Sequence, residues 1–105
     1  MRNNKKYHTL IIEAMDLAMK QAHYLNTIES LKLDIQTDRE GRFEYLNELN
    51  KIEQKYQVVH IKFEQTVRIT SILFGQPIYE VIDRMHMEYR QRYNNDMPEY
   101  EQEVA

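Results

Sequence analysis

Four histidines and seventeen acidic residues are the groups here with which chemistry could be done. Side chains three or four apart share a helix face, so His60 with Glu64, and Asp83 with His86, have the spacing to reach one ion. A di-iron bundle needs two carboxylate-x-x-histidine elements and two further carboxylates. The chain has one approximate element, so no metal residue is assigned. With no cysteine there is no thiolate ligand, thiol nucleophile or disulfide. Two glycines cannot build a phosphate-cradling loop, and no Ser, Thr or Lys stands in a nucleophile setting.

The acidic pairs Glu13-x-x-Asp16 and Glu80-x-x-Asp83 resemble the Glu-x-x-Asp element of all-helical nucleotide pyrophosphohydrolases, whose clustered carboxylates hold Mg²⁺ against phosphates. The resemblance would imply a Mg-dependent hydrolase. That family also needs a Glu-x-x-Glu partner one hairpin away, where this chain has Glu44, Glu48 and Glu53, spaced by four and five. The pattern departs where the metal would bind, and the expectation is a chain that is not an enzyme and needs no cofactor.

A third group of residues points to recognition. Arg84, Arg90 and Arg92 stand among Met87, Tyr89 and Tyr93, a mixture that can grip phosphates and stack on bases or anchor a protein interface. Glu80, Asp83 and Glu88 interleave with the arginines and weaken their field, which favours the protein partner over nucleic acid. Eight tyrosines and six methionines fit the same reading, because both side chains tolerate alternation between water and a partner.

These residues must be held by helices. Charged residues make up 30% of 105 residues with only two Gly and two Pro, a balance that suits long amphipathic helices and excludes a sandwich, a barrel or a disordered chain. In the middle of the chain Tyr45, Leu49, Ile52, Tyr56, Val59, Phe63, Thr66, Thr70 and Leu73 alternate steps of four and three, one stripe of one helix. Residues 56–70 are also rich in β-branched and aromatic types, but no Gly or Pro interrupts 43–74, and Glu64-Gln65 cannot make a tight hairpin turn.

The reading is therefore all-α: a long antiparallel hairpin of helices over 5–34 and 38–74, then a shorter helix over 77–94. Residues 1–95 form one helical domain and 96–105 an acidic, poorly ordered tail. Thr37 with Glu40 fits a capping box that would start the second helix near Asp38, with Gly41 just inside it or at its true boundary. Gly75 and Pro77 separate the second helix from the third, whose stripe is Ile78, Ile82, Met85, Tyr89 and Tyr93.

The first helix buries Tyr7, Leu10, Ile11, Ala14, Leu17, Ala18, Ala22, Leu25, Ile28 and Leu31, and Ile12, Met15 and Met19 widen that arc beyond what one neighbour covers. A third helix or a second copy must cover the excess. The candidate dimer interface is accordingly Ile12, Met15 and Met19 with Tyr45, Leu49, Ile52, Tyr56, Val59 and Phe63, completing a bundle.

A net charge of -3 predicts no polyanion partner, and no run of about 20 apolar residues is present to span a bilayer. The basic opening, Met1 to Lys6, precedes an apolar run that ends after three residues at Glu13, too short for a signal peptide. The expectation is a cytoplasmic protein–protein interaction module, a homodimer, similar in size and helicity to small regulators and inhibitors of mobile elements or phages. The alternative is a regulator that binds nucleic acid through the third helix.

Overall fold

The computed structural model describes residues 4–94, and these form three helices: α1 (Asn4–Thr37), α2 (Arg42–Phe74) and α3 (Ile78–Asn94). α1 and α2 pack as a hairpin, and the β-branched run at 56–70 is helical throughout. With no turn chemistry inside it, this run gains more from an unbroken backbone ladder than from strand pairing. The expected tail, 96–105, lies outside the described residues.

The first turn sits later than the capping box suggested. Thr37 is still in α1, its hydroxyl donating back to the Leu33 carbonyl at 3.0 Å. Asp38 closes the loop instead: its Oδ1 accepts from the amides of Glu40 and Gly41 at 3.1 and 3.3 Å, an Asx-type turn ahead of α2. Gly41 is the boundary residue, its carbonyl accepting the Tyr45 amide at 3.1 Å. A Cβ on Gly41 would lie 2.9 Å from Tyr45 Cε2, so the absent side chain lets that ring close over the turn and donate its hydroxyl to Asp38 Oδ2 at 3.3 Å. Arg42 completes the turn by donating Nε–H to the Ile35 carbonyl, one of the orphan acceptors at the end of α1.

The second turn is as the sequence implies. Gly75 has φ 61°, and the Gln76 amide reaches back to the Ser71 carbonyl at 3.1 Å, the six-to-one closure of a glycine-terminated helix. Ser71 Oγ donates to the Gln76 carbonyl. The Pro77 carbonyl then accepts the Val81 amide at 3.2 Å and starts α3, whose first turn has no amide to waste on the proline nitrogen.

Contacts divide the chain into two compact units, Met1–Met15 with Thr66–Ala105, and Asp16–Gln65. In the first unit, Ile11, Ala14, Met15, Val67, Val81, Met85 and Thr70 are buried among the described residues. Thr70 is the polar member, and its hydroxyl donates to the Thr66 carbonyl at 2.7 Å, so its burial leaves nothing unpaired. Consecutive residues of α1, Tyr7 and His8, meet Gln76 and Glu88, which are twelve positions apart. The turn before α3 and α3 itself therefore both meet the first turns of α1. The Tyr7 ring also meets Phe74 edge-on, centroids 5.0 Å apart.

In the second unit, Ile28 and Leu31 are the buried hydrophobic side chains, each 7% exposed, and the α2 stripe from Tyr45 to Phe63 is half-buried. Two helices have only one seam between them and cannot enclose more. Further along α2, the stripe leaves Leu73 exposed and buries Val67, with Phe74 half-buried. A seven-residue repeat drifts by about 20° per repeat on a straight helix, so after four repeats the inward position has moved by one residue.

Candidate interaction surfaces

The proposed dimer residues fall into three groups. Tyr45, Leu49, Ile52, Tyr56, Val59 and Phe63 are half-buried along the hairpin seam. Ile12 is half-buried and Met19 is 36% exposed. Met15 corrects the expectation: at 1% exposure it is core of the first unit and has no surface left for a partner. The sequence left a third helix or a second copy to cover it, and its burial is complete within the chain.

His60 is a seam residue, and its one acidic neighbour does not make it a ligand site. Its Nε2 lies 2.9 Å from Glu64 Oε1, its Nδ1 lies 2.8 Å from Gln21 Oε1 on α1, and its ring stacks on Tyr56 at 5.7 Å. Asp83, His86, Glu13, Asp16 and Glu80 are exposed, and no group of three or more His, Asp or Glu comes together among the described residues.

On α3 the candidate partner residues do not form one patch. At about 100° per residue, Arg84 and Arg90 stand about 120° apart and Arg90 and Arg92 about 160° apart. Arg84, Met87, Tyr89, Arg90 and Arg92 are exposed and Tyr93 is half-buried, with the Tyr89 and Tyr93 rings 4.7 Å apart. Of the expected stripe, Met85 is buried and Ile82 and Tyr93 are half-buried, while Ile78 and Tyr89 are exposed. Val81 is buried as well, and Glu88, which the sequence sets among the arginines, also faces inward. Its side chain is 13% exposed, with Oε1 3.8 Å from His8 Nε2 and 3.9 Å from Arg92 Nε, so it links α3 to α1. The four-then-three spacing of Val81, Met85 and Glu88 was the signal that could have found it.

No protein-family model, no curated protein and no solved structure matches the chain. Its surfaces must be judged on their own physical chemistry.

One surface stands out in that light. On a helix of 3.6 residues per turn, Ile11, Ala14, Met15, Ala18, Ala22, Leu25 and Leu33 occupy one arc of α1 about 100° wide. The first unit buries the start of this arc at Ile11, Ala14 and Met15. In the second unit the same arc is open: Ala22 is exposed, Leu25 is 43% exposed and Leu33 is 60% exposed, with Glu29 between them. The sequence assigned Ala22 and Leu25 to the core, and they fall outside it because a two-helix unit has only one seam to bury them in. No helix of the described residues is long and apolar enough to cross a membrane.

Proposed function

We propose that the chain is a non-enzymatic protein–protein interaction module that pairs with a second copy through the open arc of α1. It would act in the cytoplasm as a small regulator, where a chain without cysteine loses nothing. The observation that carries this reading is the continuation of a buried apolar arc into exposed Ala22, Leu25 and Leu33. Ala18 and Ala22 are small enough to admit the backbone of another helix, and the leucines on the same arc supply the apolar area. The thin core of the second unit supports the same reading, since a two-helix unit with Ile28 and Leu31 as its buried hydrophobics gains most from another layer.

Fully burying a leucine is worth about 1.5–3 kcal/mol, so covering the exposed part of Leu25 and Leu33 contributes about 1 kcal/mol each. Across a two-fold interface that is about 4 kcal/mol, or on the order of a thousandfold in dissociation constant. Light scattering on the eluting protein should give twice the chain mass of 12.8 kDa. The double variant Leu25→Lys/Leu33→Lys should elute at the single-chain mass with unchanged helical circular dichroism. Glu29→Leu should tighten pairing, a gain that misfolding cannot imitate. A wild-type chain that stays at the single-chain mass at several hundred micromolar would end the proposal.

A further inference from the structure

A different face of the second unit carries a binding site of its own. Tyr24 of α1 and Lys51, Gln54, Lys55, Val58 and Val59 of α2 line an open groove of about 500 Å³. Its apolar wall is the Tyr24 ring with Val58 and Val59, and its rim carries two ammonium groups one helical turn apart. Lys51 and Lys55 form no ion pair with any described residue. Like charges four apart on a helix repel, a cost of a few tenths of a kcal/mol that a bound anion would reverse.

We propose that this groove binds an acidic peptide segment of a partner protein, one that carries an aromatic or aliphatic side chain between carboxylates. The two lysines take the carboxylates, the Gln54 amide can donate to the peptide backbone, and the intervening side chain fills the space over Val58 and Val59. A nucleic-acid backbone fits less well. Exposed Glu44 and Glu48 precede the lysines on the same face of α2, so a polyanion long enough to run along that face would meet repulsion that a short peptide seated over the groove avoids. The apolar wall also asks for a side chain that a phosphate chain lacks. This site shares no residue with the α1 arc, and Tyr24 lies about 140° from the middle of that arc by helical geometry, so either proposal can fail without the other.

The test uses the full chain and a fluorescein-labelled peptide, acetyl-Glu-Glu-Phe-Glu-Glu-amide, followed by fluorescence anisotropy at low salt. Saturable binding is expected, weakened at least tenfold by Lys51→Glu/Lys55→Glu and severalfold by Lys51→Gln/Lys55→Gln, with circular dichroism unchanged because both lysines are exposed. Replacing the peptide's Phe by Ser should weaken binding, and replacing its Glu residues by Gln should abolish it. No saturation at millimolar peptide overturns the proposal, as does equal binding of the Ser peptide or of oligo-deoxythymidine, since either means general attraction to anions. Indifference to both lysine pairs also overturns it.

Discussion

Gly75 offers the cleanest test of how the chain is folded back at the end of α2. It is the residue with positive φ, 61°, and a Cβ built on it meets nothing within 4 Å, so replacement by alanine changes backbone preference and nothing else. Holding an L-residue in the left-handed region costs about 1–2 kcal/mol, partly offset because alanine also restricts the unfolded chain. The net expectation is about 1 kcal/mol. For a chain of this size that lowers Tm by about 4–6 °C. The local contacts give the backbone no easy escape. The Gln76 amide is held by the Ser71 carbonyl at 3.1 Å, and the Gln76 side chain accepts from Tyr7 Oη at 2.8 Å, tying the turn to the first turn of α1. Thermal melts followed at 222 nm on Gly75→Ala and Gly75→Asn should rank wild type, Asn, Ala, because asparagine tolerates the left-handed region better. A synthetic chain with D-alanine at position 75 should melt at or above the wild-type temperature, since that region is the one D-residues prefer. Equal melting of the L- and D-alanine chains would refute the reasoning.

Two further tests address other parts of the molecule. Met15→Ala removes a side chain that is 1% exposed and should cost about 2–5 kcal/mol in denaturant unfolding, whereas an interface methionine would lose less than 1. The charge of Asp38, and then its hydrogen bond, hold the Tyr45 phenol above its ordinary pKa of 10.0. A raised folded-state pKa gives a contribution fully present below pH 10 and lost as pH rises through the folded value. Asp38→Asn should therefore bring the Tyr45 transition down toward 10, read as the 295 nm difference between each chain and its Tyr45→Phe counterpart, and an unmoved transition would show that Asp38 is not the cause.

The helical class was legible because it rests on local information. Unbroken three-and-four spacing, scarce Gly and Pro, and the Gly75-Gln76-Pro77 stop are all written within a few residues of where they act. The misreadings arose where two local signals competed. Thr37 and Asp38 are adjacent cap formers, and the hydroxyl of Thr37 was already used within α1, leaving the amides past the turn to the Asp38 carboxylate. Glu88 is a charge in an inward register, and its position is tolerable because Arg92 lies 3.9 Å and the His8 ring 3.8 Å from its carboxylate.

Sequence by itself determined three helices, the turn at Gly75 to Pro77 and the width of the apolar arc on α1, since each follows from backbone preference and periodicity along one segment. Only the tertiary structure decided which part of that arc is satisfied, because burial depends on contacts remote in sequence. Such contacts, Tyr7 with Gln76 and His8 with Glu88 among them, are encoded by no spacing within a single helix. Met15 is buried in the first unit, and Leu25 and Leu33 of the second are open to water.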